Sequence, residues 1–289
     1  MPRSEEPVRT IRAQWLGQQM RELRERRGLT LRDAGEYIGR DLSAVGRYEL
    51  AEWPFRRGDV MALLDLYNVF DGQERSRLIQ LADEAWRTDE WDADFTDATK
   101  DKAYVNYDWL ESRARLIGIY GPTLIHVLFQ TRPYAEAMIR LTDGERVPAP
   151  KLARRLELRL ARQRILDSGN ARVTAVLDDS VLRRRVGVGA ELMRDQLTHL
   201  AELAKRPNVE LLVLPTEANV AARIGGQFVV FKMPDPYPEV AYTESLAGRF
   251  YLEAPKSKRF INAYDELRRA ALSADESTAF ITRLADELP

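Results

Sequence analysis

The chain of 289 residues contains no cysteine and only two histidines, His126 and His199. The first absence excludes disulfides and thiolate metal sites and suits a reducing cytoplasm. The second leaves little imidazole for catalysis or metal binding. His126 lies in an apolar run and His199 on an amphipathic helix, both places where a ring more often packs than reacts. No HExxH, no phosphate-binding glycine loop and no nucleophile elbow occurs. Gly187 and Gly189 lack the third glycine of a dinucleotide fingerprint. Asp178 and Asp179 are adjacent, and on an extended segment they would point to opposite faces, a poor geometry for paired acid–base work. An enzyme is therefore not expected, nor is a metal or a cofactor. Long hydrophobic runs are missing too. The longest, LIGIYGPTLIHVLF at 116–129, is too short to span a bilayer and is broken by Gly118, Gly121 and Pro122, so it reads as buried core. The opening MPRSEEPVRT has no apolar h-region of a secretory signal, and a cytoplasmic, nucleoid-associated protein is expected. Charge of one sign is also lacking: 44 Lys+Arg stand against 45 Asp+Glu, a formal net charge of −1.

What is present is a two-helix unit with a glycine turn, GLTLRDAGEYIGRDLSAVGRYE at 28–49. Its spacing is that of a helix-turn-helix, whose second helix lies in the DNA major groove. Thr30 is a hydroxyl N-cap, and Leu31, Ala34, Gly35 and Ile38 follow on one face. Gly39 ends the first helix, because glycine enters the left-handed region without penalty. Val45 and Tyr48 turn the second helix back toward the first, and small residues at Ala34, Gly35 and Gly46 permit a close crossing. Arg21, Arg24, Arg26 and Arg27 cluster before this unit and Arg56 and Arg57 after it. Glu22 and Glu25 beside the first group point to a salt-bridged, solvated face. If several of these arginines meet phosphate, binding falls steeply with salt.

Three regions follow from composition. Residues 1–90 form the helix-turn-helix domain, with Val60, Leu63, Leu64 and Tyr67, then Leu78, Leu81 and Ala82, as further core stripes. Residues 91–104 read as an acidic linker. Residues 105–289 form a larger domain that opens with helices, NYDWLESRARLIGIY among them. ARVTAVLDDSVL then alternates as a strand at Val173, Ala175 and Leu177, and an amphipathic helix follows over ELMRDQLTHLAELAKR. Four short β-rich runs (VELLVLP, QFVVFKM, EVAYTES, RFYLE) precede two closing helices. The fold class is mainly α, with a C-terminal α+β domain holding a small sheet.

From Leu16 to about Val69 the sequence resembles the Cro/repressor (XRE-type) class. That resemblance implies a five-helix domain with its third helix as reader, and it places Ser43, Val45, Arg47 and Glu49 on that helix. Glutamines common at two helix starts in the class are here Leu31 and Leu42, which removes a bidentate adenine reader. Ser43, Ala44 and Arg47 are then the base-edge candidates, with Arg40 and Asp41 at the rim. Thr30, Arg32, Arg56 and Arg57 are the phosphate candidates. Arg47 leads, because arginine pairs bidentately with guanine.

LFQTRPYA at 128–135, RLARQRIL at 159–166, VLDDSVLRRRVG at 176–187, QLTHLAELA at 196–204, VELLVLP at 209–215 and GGQFVVF at 225–231 resemble the long C-terminal domain of actinobacterial XRE-type regulators. The usual PGLLQT reads HVLFQT here, and Asp179 stands where glutamate is usual. The resemblance, to WhiJ-type, antitoxin-like regulators, implies a transcription factor that binds double-stranded DNA as a homodimer. Its C-terminal domain would mediate dimerisation and take a small partner protein or small-molecule effector. The alternative is an antitoxin-like protein-interaction module with weak or partner-dependent DNA binding.

Overall fold

The computed structural model describes residues 10–86, 103–144, 147–187, 190–234, 237–245 and 248–288. Most of the acidic linker, the N-terminal nine residues and Gly189 lie outside the described residues. Contacts divide the chain into two compact units, Met1–Asn106 and Tyr107–Pro289.

Five helices build the described part of the first unit: α1 (Ile11–Arg26), α2 (Leu31–Ile38), α3 (Leu42–Glu49), α4 (Arg57–Leu66) and α5 (Gly72–Trp86). Each boundary has a local cause. Thr30 and Asp33 form a reciprocal capping box at the start of α2, and Gly39 ends it at φ 66°, ψ 37°. Asp41 caps α3 by accepting the Ala44 N–H at 2.7 Å. Leu16, Met20, Ala34, Val45, Phe55, Val60, Leu63, Leu64, Leu78 and Ala82 are buried, so most of the helical stripes read from spacing face inward, while Leu31 and Ile38 of α2 are half-buried.

One close helix approach lies at a glycine that the spacing did not single out. A Cβ on Gly17 of α1 would lie 2.5 Å from the Glu49 carbonyl oxygen and 2.8 Å from that of Tyr48. At Gly46, by contrast, a Cβ would meet only Leu31 Cδ1 at an ordinary 3.7 Å. Backbone cannot rotate away as a side chain can. Gly17→Ala is therefore expected to push α3 off α1 and cost about 1–3 kcal/mol, the usual penalty of overpacking. Urea unfolding would show it, and an unchanged midpoint would contradict it.

The second unit carries α6 from Tyr107 on (the helix is Ala103–Arg113), β1 (Leu116–Gly121), a 3₁₀ turn (Val127–Phe129), α7 (Arg132–Asp143), α8 (Ala149–Arg162) and a short α9 (Ile165–Ser168). Then come β2 (Arg172–Asp178), α10 (Asp179–Arg183), α11 (Glu191–Leu203), β3 (Val209–Leu214) and a second 3₁₀ turn (Ala221–Gly225). The chain closes with β4 (Phe228–Lys232), β5 (Val240–Ser245), β6 (Gly248–Leu252), α12 (Ser257–Ala270) and α13 (Ala274–Asp286). The six strands form one sheet in the order β3-β2-β1-β4-β5-β6. The first three are mutually parallel and the last three antiparallel. This is the α+β domain expected.

One segment differs from its expectation. LIGIYG, read with the opening helices, is the strand β1 at the centre of the sheet. Ile117, Ile119 and Tyr120 are all fully buried there, because a strand covered on both faces shows a continuous apolar run rather than an alternation. The same cover buries Thr174 and Val176 of β2 along with Val173, Ala175 and Leu177. On one face Tyr264 and Leu267 of α12 pack with Tyr120, Val176, Leu212, Leu214, Phe228 and Val230. On the other, Tyr107 of α6 meets Phe231 and Tyr242 edge-on at 5.4 and 4.7 Å.

Candidate nucleic-acid interface

Helix α3, the second of the two-helix unit, has a buried and an exposed side. Val45 is fully buried and Ala44 nearly so, and Tyr48 packs against Phe55 with centroids 5.0 Å apart. Leu42, Ser43 and Arg47 are exposed. Of the base-edge candidates, then, Ser43 and Arg47 share the open side, whereas Ala44 turns its methyl inward. Arg47 has no ion pair or side-chain hydrogen bond among the described residues, which leaves its five donors for a ligand. Asp41 is committed to the helix start: the Ser43 side chain and the Ala44 N–H hold its carboxyl below the usual range. Arg40 reaches back to Asp59 of α4 at 3.6 Å.

The phosphate candidates divide similarly. The Thr30 hydroxyl donates to Asp33 at 2.7 Å and accepts the Asp33 N–H at 3.2 Å, so it is occupied by the cap. Arg57 pairs with Asp83 of α5. Arg32 and Arg56 are exposed, one in the first turn of α2 and the other at the start of α4, whose N-cap has no side-chain hydrogen bond.

Composition gave no sign of what holds α3 in place. Arg24 of α1 clamps Glu49, the last residue of α3, through Nε and Nη2 at 2.7 and 2.8 Å, and its Nη1 donates to the Leu29 carbonyl at 2.8 Å. Both side chains are over nine-tenths buried. Arg24 therefore belongs to the interior, unlike Arg21, which makes the expected exposed pair with Glu25. Arg27 donates to the carbonyls of Tyr67 and Asn68 and ties α1 to the end of α4. The signal was available as an Arg–Glu pair 25 residues apart, but nothing in a single sequence joins residues at that distance.

In the C-terminal unit the recognisable motif residues meet one another around the loop 125–131. Gln163 Nε2 donates to the carbonyls of Val127 and Gln130 at 2.9 and 2.7 Å. Gln196 donates to the Phe129 carbonyl at 2.6 Å and accepts the Thr131 N–H at 2.7 Å. Arg162 of α8 makes a bidentate pair with Glu111 of α6 at 2.8 and 2.9 Å, and its guanidinium lies 4.7 Å from the Tyr107 ring centre. The Tyr107 hydroxyl is 3.0 Å from His126 Nε2, and the Leu128 N–H points at Nδ1 from 3.4 Å. Burial, with the charges of Arg162 and Arg159, pushes the His126 pKa down to about 3, so the ring is neutral.

The paired aspartates are likewise structural. Asp178 ends β2, caps α10 by accepting from Ser180, and receives Arg223 Nε at 2.8 Å. Arg223 in turn holds the carbonyls of Pro215, Thr216 and Ala218. Asp179 accepts from Arg183 and from the Thr216 hydroxyl. Among the described residues no group of three or more His, Cys, Asp or Glu could hold a metal ion, and no helix is long and apolar enough to cross a membrane.

Comparison with known families finds two matches. Residues 15–78 match a helix-turn-helix domain family, and residues 105–283 match a domain of unknown function, DUF5753. No curated protein and no solved structure matches the chain. The first match runs from within α1 to the first half of α5 and makes the N-terminal domain a DNA-binding, XRE-like helix-turn-helix, the domain of a regulator rather than of a typical enzyme. The second takes in the sheet, the motif network and most of α13, more than half of the chain, and the protein belongs to the family defined by that domain, DUF5753, carried here behind an N-terminal helix-turn-helix.

Proposed function

We propose that the protein is a sequence-specific transcriptional regulator that binds double-stranded DNA as a homodimer. The observation that carries this reading is the open side of α3, where Ser43 and Arg47, the latter with no ion pair or side-chain hydrogen bond among the described residues, stand on a helix fixed from behind by the Arg24–Glu49 clamp. Ser43 and Arg47 read base edges, while Arg32 and Arg56, with Arg57 if it leaves Asp83, hold phosphates. Two copies would place their reader helices in successive major grooves, one turn apart. The C-terminal domain supplies dimer contacts and receives a small partner protein or a ligand.

The test is selection of bound duplexes from a random pool by the full-length protein, repeated with Arg47→Ala. An inverted-repeat sequence is expected, with specific binding weakened by about 1–3 kcal/mol in the variant and non-specific binding less affected. Equal losses on selected and random DNA would reassign Arg47 to phosphate. Deleting residues 91–289 separates the roles of the C-terminal domain: weaker DNA binding means dimerisation, and loss of effector response alone means sensing.

A second reading is an antitoxin-like interaction module whose DNA binding is weak or partner-dependent. Its support is the apolar surface of the N-terminal domain, where Tyr37, Trp53 and Phe70 are 54%, 42% and 79% exposed. Failure to enrich any sequence at low salt, with folded protein, would favour it.

A further inference from the structure

The two edges of the six-stranded sheet are finished differently. At β3 the backbone of Val213 is taken: its N–H donates to the Ser277 hydroxyl of α13 at 2.9 Å, and its carbonyl accepts the Leu272 N–H at 2.9 Å. At the opposite edge, β6 pairs with β5 alone. Among the described residues no backbone hydrogen bond reaches β6 from outside the sheet. Proteins blunt an open edge with a proline, a bulge or a charge within the strand. The middle of β6 is instead Phe250-Tyr251-Leu252, with Phe250 44% exposed.

The strand is also complementary to itself. Alternation, carried one residue past β6, puts Phe250 and Leu252 on one face and Arg249, Tyr251 and Glu253 on the other. A second copy laid antiparallel along this edge, about a twofold axis at Tyr251, sets Arg249 opposite the partner's Glu253 and Phe250 opposite the partner's Leu252. Symmetry makes each match twice, and moving the axis one residue either way loses both. Arg249 already meets Glu244 of β5 at 3.2 Å, and a guanidinium with five donors can serve more than one carboxylate. We infer that the β6 edge is the dimerisation surface of the C-terminal unit, where two copies of this chain join their sheets into one. This rests on the homodimer proposed above and gives it a place. The occupant is a second copy rather than an unrelated extended peptide, because the matches of charge and apolar surface fall within the strand's own sequence.

The experiment is sedimentation of the full-length protein, without DNA, over a range of concentrations. Wild type is expected to pass from monomer to dimer as concentration rises. Arg249→Glu and Glu253→Arg, each alone, should weaken the dimer about ten-fold or more, since each turns two attractive cross-strand contacts into repulsive ones. An equimolar mixture of the two variants should recover a dimer comparable to wild type, because acid then faces base at both contacts. That recovery requires both chains to be folded and cannot arise from a charge effect within one chain. A dimer indifferent to either reversal overturns the inference and leaves the homodimer standing on another surface. A mixture no stronger than its components also overturns it. A wild-type monomer at every concentration overturns the inference and the homodimer together, whereas sequence reading by α3 is decided separately, by the selection of duplexes.

Discussion

Glu111→Ala is expected to cost the C-terminal unit about 3–5 kcal/mol, because it strands a buried guanidinium. The side chains of Arg162 and Glu111 are 12% and 5% exposed, and their two hydrogen bonds join α8 to α6. Burial works against the charge of Arg162, and the Glu111 carboxylate more than offsets it. Asp108, at 3.8 Å, is too far to replace both bonds. The cost extends beyond the pair, because Arg162 also lies over Tyr107, and Tyr107 holds His126 at the start of the loop that Gln163 and Gln196 bind. Removing both charges, as Glu111→Leu with Arg162→Met, should restore much of the loss, since a well-packed apolar pair avoids the desolvation penalty. Urea unfolding, with hydrogen exchange followed over residues 107–131, measures both variants. A single-variant loss below about 1 kcal/mol would mean that water reaches the pair and that it behaves as an exposed one.

Legibility in the sequence tracked the range of the interactions. The helix-turn-helix could be read from local rules alone: Thr30 as cap, Gly39 in the left-handed region, and core positions such as Ala34 and Val45 at helical spacing. The strand at Leu116–Gly121 could not, since a short apolar run is shared by buried strands and buried helix segments. Only its pairing with β2 and β4 settles it. Site residues divided by the same logic. Exposure of Ser43 and Arg47 follows from α3 having one apolar side. The engagement of Arg24 by Glu49, of Arg57 by Asp83 and of Arg40 by Asp59 depends on helices brought together by the fold. In the C-terminal unit the motif residues were visible as motifs, but their shared purpose was not. Gln130, Gln163 and Gln196 are spread over more than sixty positions and converge on one loop.

That convergence gives the C-terminal unit a pH dependence that a single imidazole dominates. The Tyr107 hydroxyl of α6 bonds to the His126 ring, the charges of Arg162 and Arg159 from α8 act on it, and burial reinforced by the two arginines holds its pKa near 3 against an ordinary 6.5. A histidine with a lowered folded pKa stabilises the fold fully above its unfolded value. That contribution is lost as pH falls toward the folded value, at about 1.4 kcal/mol per pH unit. Between pH 6.5 and 5, where most carboxylates have yet to titrate, the unit should therefore lose about 2 kcal/mol. The only other imidazole, His199, is also shifted downward, by burial and then by Arg206, and adds a smaller slope of the same sign. His126→Asn retains a side-chain acceptor for the Leu128 N–H and removes the titration. It should lower stability at pH 7, through loss of the Tyr107 contact, while flattening the profile below pH 6.5. Unfolding midpoints at half-unit intervals decide the matter. A variant with the wild-type slope would place the titration elsewhere, and a flat wild-type profile would mean that the ring is protonated inside the fold.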